Sequence, residues 1–440
     1  MSRDGETHAV ASGETRSAPL RVAFYGNVAN NFYQLAKALR RWPDMDAHLF
    51  IDANEGRQGS PENDDPELEN NYPHWIHRVR PVKLREKLFP WRSPMVDELA
   101  RYDLAVVSAG GPAFANFSGK PVAFFATGYD VTMAPFPIEF SFLYPSVVAK
   151  AKALWFGAWQ RRGIRLSPEL WIADFGPFND AIRKLDLPAS RITSGYCPLI
   201  IDTIRFSPGA AASPSPPAAV AEIKSRFDFA VFHPTRLLMK VPPSMRAVGQ
   251  WKANDTLIRA FARFVEKSRP SRAGLVFIDR PESVVDAVET VAAKELIREL
   301  GIEENVLWLQ PPLRPGFTRA ELIAIYSACD VAADSFGAGW FGSVTLEALA
   351  MGRPVLCYID EAAAREAYPW HPLLSSNTVE GNADFLVRLF SDPSFRQERG
   401  AAGRRWVEEF HAPASAGAVY AQRLREMASR ARAKMVSSGR

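Results

Sequence analysis

The chain has 440 residues, of which 47% are hydrophobic and 23% charged, and its formal net charge is +4. These values suit a globular protein long enough for two domains of about 200 residues each. The small positive balance gives no ground for nucleic acid as a partner. Cys197, Cys329 and Cys357 are odd in number and lack metal-ligand spacing, which points to a reducing cytoplasm. No basic stretch leads into an apolar run at the start, and no apolar run reaches about 18 residues, so neither secretion nor a membrane span is expected.

Residues 1–19 lack an apolar pattern and are expected to be a disordered tail. LRVAFYG, from Leu20, then predicts a strand, NNFYQLAKALRR a helix and AHLFI a second strand. Gly26 and Asn27 lie between the first strand and the helix, where a loop can close over a diphosphate or an acceptor. Asp44-Met45-Asp46 has the spacing of a metal-binding pair but falls in a turn between helix and strand, and His74 and His77 have no carboxylate or cysteine close in sequence. No metal and no other cofactor is expected.

LAVV, PVAFFA and LWIAD supply further strands. Asp130, in TGYDV, is the only carboxylate near the loop at Thr127 and Gly128, which makes it the N-terminal candidate to orient or deprotonate an acceptor hydroxyl. The run from Ser141 to Pro168 holds five basic residues, no acid, and Phe142, Tyr144, Trp155, Phe156 and Trp159; PVKLREKLFPWR, from Pro81, is similar. Such interleaving suits an anionic membrane surface at its inner face, and equally a core helix with snorkelling bases.

SPGAAASPSPPAAV, from Ser207, separates two patterned halves. The expected organisation is an N-terminal domain over 20–206, a linker over 207–220, a C-terminal domain over 221–410, and a helix and basic tail over 411–440, the last stretch SRARAKMVSSGR being patternless. In the second half FAVFH, GLVFID, NVLWL, DVAAD and PVLCY alternate with helical runs. One of these places Leu257, Ile258, Phe261, Phe264 and Val265 on a single face, with Asn254 available as its cap. The fold class is therefore α/β, two Rossmann-like doubly wound domains in tandem, with a ligand cleft at the carboxyl ends of the strands.

Two loops there carry chemistry. GWFGSVTLEALAMG frees the backbone and runs into a helix, so the amides of Gly342, Ser343, Val344 and Thr345 can hold a phosphate, and Glu347 offers two acceptor oxygens to a ribose. The loop after FAVFH brings Arg236, Lys240, Arg246 and Lys252; Arg236 and Lys252 are the better pair to neutralise a departing diphosphate.

TRL…WKANDTLIRAF, GWFGSVTLEALAMGRPV and CPLIIDTIRFSPG together resemble glycosyltransferase family 4, the retaining enzymes of the GT-B fold, with R-x(n)-K-G and E-x7-E segments. The resemblance covers most of residues 196–410. It implies a glycosyltransferase that moves a sugar from a nucleotide-sugar donor to a glycan or lipid-linked acceptor, in surface polysaccharide or glycoconjugate synthesis. Glu347 matches the second glutamate of the pair, while Gly339 stands at the first, Thr127 where the family has a histidine, and Ala253 where it has a glycine. A divergent family pattern makes Asp334 or the Trp340 ring the alternative sugar contact. A second reading, a non-catalytic GT-B binding or scaffold subunit, follows from the same losses. A nicotinamide oxidoreductase is disfavoured, since no G-x-G-x-x-G follows a strand.

Overall fold

The computed structural model describes residues 18–53, 59–69, 71–173, 175–193, 197–209, 218–279, 284–311 and 316–437. Strands β1 (Leu20–Tyr25), β2 (Met45–Asp52), β3 (Ile76–Val79), β4 (Leu104–Val107), β5 (Val122–Phe125), β6 (Glu169–Trp171) and β7 (Ile192–Thr193) form one sheet. Its order is β3-β2-β1-β4-β5-β6-β7. Strands β8 (Phe229–His233), β9 (Ala273–Ile278), β10 (Val306–Leu309), β11 (Val331–Ala333), β12 (Val355–Cys357) and β13 (Leu374–Ser375) form a second sheet, ordered β10-β9-β8-β11-β12-β13. The pairings are parallel; Val22 of β1, for instance, lies opposite both Ala47 and Leu104.

Strands such as LAVV and VAFF are buried at every position, so helices must cover both faces of each sheet. The strand order reverses direction beside β1 and β4 in the first sheet and beside β8 and β11 in the second. At such a switch point the loops leave on opposite faces and open a crevice at the carboxyl ends of the strands. Gly26, Arg236 and Asp334 each follow one of these four strands.

The helix Asn254–Ser268 buries Leu257, Ile258, Phe261 and Phe264, as their spacing predicts. Asn254 is not its cap: Ala253 precedes the helix in a left-handed conformation, and the Asn254 side chain turns to the preceding loop. The C-terminal stretch departs further from expectation. Residues Pro413–Ser437 are one helix, so most of SRARAKMVSSGR is ordered. Tyr420, Leu424 and Met427 enter the core of the first sheet, with Tyr420 against Phe125 and Trp171. The chain therefore returns to the N-terminal domain after completing the C-terminal one. Residues 1–17 of the expected tail and 210–217 of the expected linker lie outside the described residues.

Candidate functional site

Asp334 follows β11 directly and is 1% exposed. Its Oδ2 accepts from the Gly342 amide at 3.2 Å and from the Thr345 hydroxyl at 2.8 Å, so the carboxylate ties the glycine loop to the start of the helix Ser343–Ala350. Its Oδ1 is buried with no hydrogen-bond partner and faces Lys252 Nζ at 3.6 Å. A carboxylate oxygen buried this way is costly unless a charge or ligand answers it. Trp251 Nε1 and Ser335 Oγ are likewise buried without hydrogen-bond partners, and the Phe336 amide donates to the Lys252 carbonyl at 2.8 Å. Two segments more than 80 residues apart thus meet as one polar site.

Asp334 spends Oδ2 in building this loop, and the Trp340 ring stacks on Phe175 of the N-terminal domain at 5.7 Å and on Phe341 at 5.2 Å. The Trp340 ring is half-buried, and Asp334 keeps Oδ1 without a hydrogen-bond donor. Gly339 has φ +78°, which a glycine adopts without strain and a glutamate does not. It borders a cavity of about 370 Å³ between the domains, shared by Gly176, Asp180, Arg246, Tyr358 and Asp360. Ser343 and Val344 are half-buried in the first turn of the helix, while Gly342 and Thr345 are already bonded to Asp334.

Glu347 is 2% exposed and held at both oxygens, Oε1 by Arg319 and Oε2 by the Tyr326 hydroxyl at 3.1 Å. Burial raises its carboxyl above the ordinary value, against the pull of the Arg319 guanidinium. Arg319 reaches across the cleft as well, its Nε donating to Asp64 Oδ1 at 2.9 Å. The Thr318–Glu321 capping box that starts the Arg319 helix is legible in the sequence, but partners 28 and 255 residues distant are not.

The basic loop after β8 is pinned at two points. Asn254 Oδ1 accepts from the Leu238 amide at 2.7 Å, and its amide nitrogen contacts His233 Nε2 at 2.6 Å. Glu289, 3% exposed, accepts from the amides of Met239 at 2.8 Å and Lys240 at 3.0 Å. Arg236 and Lys240 remain exposed, and Arg246 lies over the Trp251 ring. Ala253 keeps φ +49° at the position where the family has glycine, so the conformation outlasts the residue best suited to it.

In the N-terminal domain Gly26 (φ +97°) accepts from the Ser108 hydroxyl, and a Cβ there would lie 2.6 Å from the Ser108 carbonyl oxygen. Asn27 is fully buried: its amide group donates to Asn30 Oδ1 and to the Gly59 carbonyl, and its oxygen accepts from the Tyr33 amide. It braces the loop. Asp130 is also 2% exposed and accepts from the amides of Ala109, Thr127 and Gly128 and from the Thr127 hydroxyl. Burial lifts its carboxyl to about 6 despite these four donors. Its side chain points into the protein, which corrects the expectation that it faces an acceptor.

Asp44 pairs with Arg425, and Asp46 with Arg40 and His48, so both carboxylates of the D-x-D stretch have protein partners. His48 brings His77 to 2.9 Å, a proximity hidden in sequence. A further cavity of about 580 Å³ lies at the carboxyl ends of β1 and β2, lined by Tyr25, Val82, Phe114 and Phe156 among other apolar residues and by the carboxylates Asp52 and Glu86. Beside it, the basic aromatic run forms the helix Val147–Leu166, whose buried residues are only Gly157, Gln160, Gly163 and Ile164. Val147, Val148, Leu154 and Trp155 are exposed, as are Leu84, Leu88, Phe89 and Trp91, and the Trp155 indole donates to the Leu88 carbonyl at 2.8 Å. This helix is not a core element. Among the described residues no helix is long and apolar enough to cross a membrane.

Residues 240–406 match the family described as glycosyl transferases group 1. A D-inositol 3-phosphate glycosyltransferase of Corynebacterium aurimucosum is 32% identical over 184 residues, 40% of this chain and 41% of the relative. The like-named protein of Kineococcus radiotolerans is 30% identical over 240 residues, 48% of this chain and 54% of the relative. The chain thus matches these curated relatives over about half their length or less. Among solved structures, Anabaena HepE in complex with UDP and glucose superposes with a TM-score of 0.60 at 16% identity, covering 92% of this chain and 99% of that one. Sucrose-phosphate synthase from Thermosynechococcus elongatus gives 0.60 at 16% identity, covering 93% and 99%. Similarity at that identity establishes the GT-B fold.

Proposed function

We propose that this chain, with a group 1 glycosyl transferase segment over residues 240–406, transfers a sugar from a nucleoside-diphosphate donor to a hydroxyl of a glycan or glycolipid, with retention of configuration. The observation that carries the reading is the meeting of Lys252 with a buried Asp334 oxygen that has no hydrogen-bond donor, beside the Ser343–Ala350 helix start. Lys252 and Arg236 offset the charge that grows on the leaving diphosphate, and the first-turn amides at Ser343 and Val344 add a positive helix end. Catalysis is then mostly positioning and charge stabilisation. No side-chain base is required where a donor phosphate oxygen takes the acceptor proton, which accords with the inward-facing Asp130. Glu347 anchors the ribose.

The acceptor is a lipid-linked glycan at the inner membrane face. The cavity beside Phe156, lined mostly by apolar residues together with Asp52 and Glu86, and the exposed Leu84, Phe89, Trp91, Val147, Val148 and Trp155 support this part of the reading. Co-sedimentation with vesicles containing about one third phosphatidylglycerol checks it, and binding absent at low salt would remove it. Thermal shift with UDP, GDP, ADP and dTDP and their sugar conjugates tests the donor: a ligand at about 100 times its Kd stabilises by about 2.7 kcal/mol. Stabilisation by one nucleotide, lost in Glu347→Ala, is expected.

One observation favours a second reading. Gly339 carries no carboxylate and Glu347 is already paired with Arg319, as in a subunit that keeps the fold without transfer. Sugar transfer from the stabilising nucleotide sugar to a hydroxyl acceptor separates the two.

A further inference from the structure

The pairing of Glu347 with Arg319 bears on how a donor reaches its site. Both Glu347 oxygens are engaged, and the surrounding space, bordered by Ala29, Gln34, Asp64, Arg319 and Ser343, amounts to about 30 Å³. That is room for one water and not for a ribose. The guanidinium that meets Glu347 through Nη1 also donates from Nε to Asp64, a residue of the other domain. Asp64 in turn is 7% exposed and accepts from Gln34 Nε2 at 2.8 Å, and its neighbour Asp65 holds Lys37, Tyr33 and Arg205. The anchor on the N-terminal side is therefore fixed by several groups, while the C-terminal side hangs on one guanidinium.

We propose that Arg319 is a positioning residue that couples the donor carboxylate to the N-terminal domain: Asp64–Arg319–Glu347 latches the two domains over the nucleotide site, and donor ribose replaces Arg319 on Glu347 as the latch opens. The inference rests on the glycosyltransferase reading for the identity of the ligand, but the latch itself is a property of the chain. Free Glu347 exists only in the opened population, so the apparent Kd for donor is the intrinsic value divided by the fraction open. Weakening the latch raises that fraction and tightens binding. A purely structural ion pair gives the opposite sign, because loss of Arg319 leaves Glu347 misplaced and buried alone.

The experiment uses the full chain as wild type, Asp64→Asn and Arg319→Gln, with UDP, GDP, ADP and dTDP as probes. Asp64→Asn removes the interdomain charge while leaving a side chain of the same shape. For the nucleotide that binds wild type, both variants should show a Kd at least threefold lower. Ligand-free Asp64→Asn should also have a larger radius of gyration by small-angle X-ray scattering. Equal or weaker nucleotide binding in a folded Asp64→Asn overturns the latch while leaving the donor reading intact. Failure of all four nucleotides to bind wild type or either variant removes the donor reading and the ribose exchange together; a radius of gyration unchanged in Asp64→Asn removes the latch independently of any ligand. Should Arg319→Gln fail to fold, Asp64→Asn carries the test alone.

Discussion

Each domain places a buried aspartate under a glycine-containing loop at the carboxyl end of its sheet, and the two are treated differently. Asp130 receives four hydrogen bonds and, among the described residues, pairs with no cation, so the N-terminal loop is closed on itself. Asp334 receives two on one oxygen and turns the other to Lys252 without a hydrogen bond, so the C-terminal loop retains spare acceptor capacity beside a cation. A fully satisfied carboxylate builds backbone shape; a partly satisfied one beside a cation and other unpaired polar atoms leaves acceptor capacity for the donor site proposed above. The same residue type is thus fully hydrogen-bonded in one domain and only partly so in the other.

The largest effects should fall on opposite sides of this divide. Arg236 is exposed, so Arg236→Ala should leave the melting temperature unchanged while lowering kcat by about 100-fold or more, the scale for losing one charge-stabilising group. Steady-state assay beside calorimetry checks it, and a loss of stability without loss of rate would erase the contrast. Asp130→Ala should do the reverse, costing about 3 kcal/mol of stability because four donors lose their acceptor. Urea unfolding measures this, and a stable but inactive Asp130→Ala would return Asp130 to the chemistry.

Acid titration sharpens the comparison. His411, buried between the Leu199 carbonyl and the Tyr368 hydroxyl, has its pKa pushed down by burial from 6.5 to about 4. The unfolded state then binds the extra proton first, so this contribution is lost as pH falls from about 6.5 toward 4. Asp130, raised from 3.8 to about 6, binds its proton first in the folded state, and so adds stability as pH falls through about 6. Between pH 7 and 5 the two oppose each other at about 2 and 1 kcal/mol. The pH slope of stability in Asp130→Asn should therefore be steeper than in wild type by about 1 kcal/mol over that range, measured by urea unfolding at each pH.

The smallest expected effect is at Ala253. Replacement by glycine relieves the left-handed strain but loses a buried methyl and loosens the unfolded chain, so Ala253→Gly should shift stability by less than about 1 kcal/mol. A change of several kcal/mol in chemical denaturation would mean that the methyl, not the backbone, sets this turn.

The strands and the amphipathic helices were legible because hydrophobic periodicity is local: FAVFH is β8 residue for residue, and the faces of Asn254–Ser268 follow its spacing. Placing the candidate loops at strand ends needed only the alternation of strands and helices. Roles within the loops were less accessible. A sequence does not tell whether Asp130 turns inward, or that Trp340 meets Phe175, because direction depends on what packs behind each residue.

By itself the sequence determined two doubly wound domains, their strand-end loops and the residue types available for phosphate and ribose. Only the tertiary structure decided that Glu347 is shared with Arg319, that Arg319 reaches Asp64, and that the last helix returns to the first domain. The physical reason is range: backbone periodicity and capping act over a few residues, whereas ion pairing and core burial join groups 28 to several hundred positions apart, whose proximity exists only once the chain has closed on itself.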